Sequence, residues 1–157
     1  MTLLVFLALV FGGCGSDQAD KTDDSAPSCA TENEECGPGS CEGEGENMLP
    51  GSECTACHRE GGESVAFGVA GTLFSDLDGS GPVASAVVEI TDATGEVFTM
   101  TTTTAGNFYT EETPVFPIQA AVEAESKRSA MFLEVETGGC NDCHRCEGPP
   151  GGKLYAP

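Results

Sequence analysis

A mainly β protein, closing as one single antiparallel β-sandwich, is the fold class this sequence predicts, and three observations carry it. Between Ser64 and Gly139, apolar and polar residues alternate in short runs. Turn signals built from Gly, Asp and Asn bound those runs about every 8–12 residues, the spacing of sandwich strands. No helical period persists along the same stretch. A chain of 157 residues is one domain with room for a short appendage. Aromatic residues are 6% of the chain and tryptophan is absent, so the core is modest.

The elements follow in order. Residues 1–13 read as a signal peptide. Leu3 to Phe11 are nearly all apolar, a run too short to span a bilayer but suited to a signal-peptide core. Its end, Phe11-Gly12-Gly13-Cys14, resembles a bacterial lipobox. That resemblance implies an exported protein acylated on Cys14 and anchored in a membrane by the attached lipid. Gly15, and not an acid, follows the cysteine. By analogy with lipoprotein sorting, this points to the outer membrane or the cell surface. An ordinary signal peptide with an incidental Cys14, releasing a periplasmic protein, is the alternative.

Residues 14–47 read as an acidic, largely disordered tether. From Gly15 to Glu53 there are eleven acids against one base, Lys21, and the large apolar residues are Met48 and Leu49 alone. Such a composition buries too little surface to offset the entropy of ordering it. Its reach as a coil is on the order of 35 Å. Cys29, Cys36 and Cys41 fall in this stretch and allow local disulfides.

Residues 48–157 form the folded domain: a first cysteine-bearing segment (48–63), the strands (64–139) and a second cysteine-bearing segment (140–157). Val65, Phe67, Val69 and Leu73 alternate and predict the first strand. Val88 and Ile90 alternate with Val87, Glu89 and Thr91, ending in the turn Asp92-Ala93-Thr94-Gly95. Val97 to Thr104 is β-branched and aromatic, closed by Ala105-Gly106-Asn107. Ile118, Ala120 and Val122 form another alternation. Met131, Leu133 and Val135, opposite Phe132, Glu134 and Glu136, predict the last strand. The run Val69-Ala70-Gly71-Thr72, the strand and turn Ala86 to Gly95, and Thr102-Thr103-Thr104-Ala105-Gly106-Asn107-Phe108 together resemble the carboxypeptidase regulatory-like β-sandwich. The resemblance covers about half the chain. It implies a fold and no catalysis.

Two motifs flank the strands: Cys54-Thr55-Ala56-Cys57-His58 and Cys140-Asn141-Asp142-Cys143-His144. In a c-type haem site two such thiols add across the porphyrin vinyl groups and the adjacent imidazole ligates iron. The chain has two histidines and both occupy this position. On these residues the chain resembles exported di-haem c-type cytochromes. The resemblance implies two haem c groups, held by Cys54, Cys57 and His58 and by Cys140, Cys143 and His144, with His58 and His144 as axial iron ligands. A Cys₄ zinc site and redox disulfides are the rival chemistries for paired thiols.

With both histidines taken, a sixth ligand has to be a thioether, an amine, or a group from another molecule. Met48, six residues before Cys54, is the first candidate, with packing on a porphyrin face as the alternative. Met131 is the candidate for the second haem, against a core role. Met100, mid-strand among threonines, is the weakest. No histidine remains as a distal acid–base group, which argues against enzymatic activity.

The net charge of −20 excludes nucleic acid as a partner and favours a redox protein with a basic docking surface. Electron transfer is therefore the expected function. A β-sandwich binding module with structural cysteines and a haem-based sensor or peroxidase-like protein are the alternatives. After Cys14 and the haem cysteines are assigned, Cys29, Cys36, Cys41 and Cys146 remain for disulfides in any of their pairings. Asp76-Leu77-Asp78-Gly79-Ser80-Gly81 starts like a calcium loop, but Val87 stands where its glutamate belongs, so an ordinary turn is expected. The tail after Gly148-Pro149-Pro150 is expected to run extended, with Leu154 or Tyr155 shielding the second haem.

Overall fold

The computed structural model describes residues 48–62, 64–146 and 148–157. The signal peptide, Cys14, the tether, and Cys29, Cys36 and Cys41 lie outside the described residues.

The domain is mainly β, with two antiparallel sheets and two four-residue helices. The elements in order are α1 (Cys54–Cys57), β1 (Val69–Thr72), β2 (Val87–Thr91), β3 (Val97–Thr101), β4 (Asn107–Thr110), β5 (Gln119–Ala124), β6 (Lys127–Ala130) and α2 (Cys140–Cys143). One sheet is β1-β4; the other runs β3-β2-β5-β6.

Alternation decides the inner face of the larger sheet. Val88 sits in register with Met100 on one side and Val122 on the other, and Ile90 with Phe98 and Ala120. These two rows meet Val69 and Phe108 from the smaller sheet, and Leu73 just after β1, in one core. The opposite face carries Glu89, which pairs with Arg128 across β5. Met100, 7% exposed, is a core residue.

The turn after β2 is held by one carboxylate. Asp92 Oδ1 accepts from the Thr94 N–H and hydroxyl and from the Glu96 N–H, and Oδ2 from Val115 N–H. Four donors favour the charged form, and the Asp92 pKa falls to about 2, with the Thr94 hydroxyl the largest cause. The Asp76 segment is an ordinary turn, its carboxylate accepting from the Asp78 and Ser80 N–H groups.

Three sequence expectations shift. The last strand is Lys127–Ala130, and not Met131 to Val135. Glu125 and Ser126, both at positive φ, make the two-residue hairpin turn that starts β6 at Lys127. Neither is the Gly or Asn that marks such a turn in sequence. Phe132 and Leu133 are exposed, and Val135 makes a single bridge to Ile118. The first strand begins at Val69, because Val65 and Phe67 are held on the first motif instead. After the turn Ala105-Gly106-Asn107 the chain passes to the other sheet as β4, too short to show its own alternation.

Only one edge of β1 pairs with β4. On its other edge, Ala70 N–H donates to Gly138 O, Thr72 N–H to Asn141 Oδ1, and Phe74 N–H to Leu154 O. Thus the approach to α2, a side chain within α2 and the extended C-terminal tail stand in for a neighbouring strand. Gly138 is required there, since a Cβ would lie 1.9 Å from Gly68 O. Leu154 packs on the core and Tyr155 is half exposed.

Candidate functional site

Both Cys-x-x-Cys-His motifs fold into the same single helical turn. His58 N–H donates to Cys54 O and His144 N–H to Cys140 O, each at 2.9 Å. The flanking residues also match: Glu53 and Gly139 have ψ of 88°, and His58 and His144 have φ of −89° and −83°. One backbone conformation has thus been used twice, once before the strands and once after them.

The two turns border the same strand. Segment 48–54 crosses the outer face of β1 and β4, the face opposite the core. Gly51 N–H donates to Thr72 Oγ1, Thr72 Oγ1 donates to Asn107 Oδ1, and Asn107 Nδ2 donates to Met48 O. Asn141 Nδ2 adds donations to Ser52 O at 2.7 Å and to Thr72 Oγ1 at 3.3 Å. The Thr72 hydroxyl uses its one proton and both lone pairs, and Thr72, Asn107 and Asn141 are all buried. This network ties the first motif to the second. Sequence reasoning missed all three residues. Asn141 was legible as a motif position, but nothing in the spacing shows that its amide faces β1.

The first motif opens on an apolar cavity of about 360 Å³, within the range of cofactor pockets. Cys54, Cys57 and His58 line it, with Met48, Leu49, Phe67, Phe108 and Tyr109. His58 is 8% exposed, and its Nδ1 lies 2.8 Å from Val65 O. A carbonyl only accepts, so Nδ1 carries the proton and Nε2 holds the lone pair that a metal takes. The imidazole stacks on Phe67 at 3.9 Å, and Phe67 stacks on Tyr109 at 4.4 Å. Met48, fixed through its carbonyl, shares this cavity with His58.

The second motif is set differently. Cys140 packs against the core, close enough to β1 that a Cβ on Gly71 would meet it at 2.8 Å. Burial lowers the pKa of His144, keeping its imidazole neutral and able to ligate. Burial pushes the Asp142 carboxyl up to about 6, with Glu53 adding and Arg145 opposing. Among the described residues, Ser52 Oγ and Asp142 Oδ1 are buried without a hydrogen-bond partner. Met131 follows β6, its N–H on Ala120 O, at the edge of the four-stranded sheet, whereas α2 borders β1.

The sulfurs differ too. Cys54, Cys57 and Cys140 carry reduced thiols, while Cys143 and Cys146 each belong to a disulfide. Burial raises the Cys54 thiol to about 11 and the Cys140 thiol to about 12. Both are thereby kept protonated, the reverse of a cysteine tuned for thiol–disulfide exchange. Among the described residues, no group of three or more His, Cys, Asp or Glu is arranged to hold a metal ion. A haem iron does not need such a group, because one imidazole suffices on the protein side.

Comparison with known proteins finds no matching family model, and no curated protein or solved structure matches the chain.

Proposed function

We propose that the protein is an exported electron carrier that holds haem c covalently through its two Cys-x-x-Cys-His motifs. The observation that carries this reading is His58: Nδ1 is committed to Val65 O, and Nε2 is left to ligate beside an apolar cavity walled by Cys54, Cys57 and Met48. The residues of the first motif fit the group. Cys54 and Cys57 would bond it, His58 would ligate the iron, and Leu49, Phe67 and Phe108 would exclude water. When bound, haem supplies one-electron chemistry with no bond made or broken in a substrate. The Val65 carbonyl orients the His58 ring and makes it the stronger donor. Glu53 and Glu111, also lining the cavity, add to the negative field that draws a basic redox partner. The two-sheet domain that carries the motifs is read as a carboxypeptidase regulatory-like sandwich, supported by its shared core and the Asp92–Gly95 turn. Export and lipid attachment at Cys14 rest on the sequence.

A second reading has its own observation. Cys143 belongs to a disulfide, and a haem thioether at that sulfur first requires it as a thiol. With the disulfide kept, the second motif is a structural clamp and one haem binds, at the first motif. A pyridine haemochrome spectrum, quantified per chain after production with a haem-attachment system, separates the two. Two haems per chain are expected, and peptide mass mapping should find one on each motif. One haem on Cys54 and Cys57 alone establishes the second reading. A zinc-bearing product without haem ends both.

A further inference from the structure

β3 and β4 follow one another in the chain yet belong to different sheets. Their connection is tight, with Gly106 N–H donating to Thr103 O and Thr103 N–H to Asn107 O. Beyond it the strands part, and a groove of about 480 Å³ opens between them. Both walls are strand edges. Asp92 N–H bonds Glu96 O and Thr102 N–H bonds Ala86 O, so the even residues of β3 face β2. The N–H and C=O groups of Val97, Thr99 and Thr101 therefore point out of the sheet. The β1 ladder directs those of Tyr109 out of the smaller sheet in the same way.

Exposed edges are usually blunted by Lys, Pro or a bulge. β3 reads Val-Phe-Thr-Met-Thr in unbroken register, with none of these. Glu96 and Glu112 line the groove, and no Lys or Arg does.

We propose that this groove takes an extended, lysine- or arginine-bearing segment of a partner polypeptide, which pairs with β3 as an added strand. Main-chain pairing supplies the docking, and the two glutamates select the charge. A second copy of the chain fits poorly, since the charged side chains lining the groove are Glu96 and Glu112 and each copy carries a net charge of −20. The added strand would lie beside Tyr109, which reaches His58 through Phe67 by two ring stacks. Use of the groove by a redox partner rests on the haem reading above; docking of a basic strand does not.

The test titrates the mature full-length protein with a synthetic peptide alternating lysine with valine and threonine. Saturable binding with slowed amide exchange at Thr99 is expected. The same peptide N-methylated at alternate amides should bind about tenfold more weakly or worse, the equivalent of about one hydrogen bond. Thr99→Pro should have a similar effect, because that N–H is not used within the sheet. Should Thr99→Pro fail to fold, the N-methylated peptide on the unaltered protein still decides. Glu96→Lys combined with Glu112→Lys should weaken binding of the lysine peptide. Binding that ignores N-methylation, or leaves Thr99 exchange unchanged, overturns the proposal. So does a concentration-dependent dimer that the peptide dissociates, which would make a second copy the occupant. Haem content measured on the same preparation shows separately whether the electron-transfer reading holds.

Discussion

The N–H of Thr72 donates to Oδ1 of Asn141 across 69 residues of chain, at 3.1 Å. Asn141 thereby fills one place in the missing strand beside β1. Through its Nδ2 it also holds Ser52, two residues before Cys54. A residue inside the second motif thus positions the first.

Asn141→Ala should leave Thr72 N–H buried and unpaired at a cost of about 1–3 kcal/mol. It should also release segment 48–54. Urea unfolding should show a lower midpoint with unchanged slope, and the Thr72 amide should exchange faster. An unmoved midpoint would mean that water replaces the amide without penalty.

On the haem reading proposed above, the sixth ligand of the first iron is open to a direct test. Met48 and His58 line one cavity, so Met48→Ala should remove the far-red methionine-to-iron band, lower the potential of that centre and admit carbon monoxide to the reduced protein. Met131→Ala is the matching test for the second centre. Spectra and potentials unaffected by both substitutions would reduce the two methionines to packing and favour a ligand-binding role.

Asp92 sets part of the acid limit of the fold. Its pKa is depressed from 3.8 to about 2, so its stabilising contribution is complete above 3.8 and is lost as pH falls through about 2. Asp92→Asn cannot accept from Val115 on its amide nitrogen. The variant should melt lower at neutral pH, and its melting temperature should fall less steeply between about pH 4 and pH 2. Parallel melting curves for the two proteins across that window would show that Asp92 is not linked to folding.

Anchoring is tested at Cys14. Cys14→Ala should move the protein from the membrane fraction to the soluble fraction with haem content unchanged. An unaltered distribution would show that Phe11-Gly12-Gly13-Cys14 is not read as a lipobox.

Much of this was legible in the chain because it is local. Each Cys-x-x-Cys-His motif is contiguous in the chain, so its two cysteines and histidine are neighbours whatever surrounds them. Strict alternation around Val88, Ile90 and Val122 places those side chains on one face, because a strand repeats every two residues. Asp92, Thr94 and Gly95 make their own turn. The tertiary structure decided what depends on partners far along the chain. Lys127–Ala130 is β6 because β5 offers it an edge, and its turn residues carry no sequence mark. Val65 and Phe67 leave the strand pattern because the His58 ring takes a carbonyl from one and a ring face from the other. The Asn141, Thr72 and Asn107 network joins side chains whose hydrogen-bonding capacity is plain in sequence but whose direction is not. A period reports which face a residue occupies; only packing settles what that face meets.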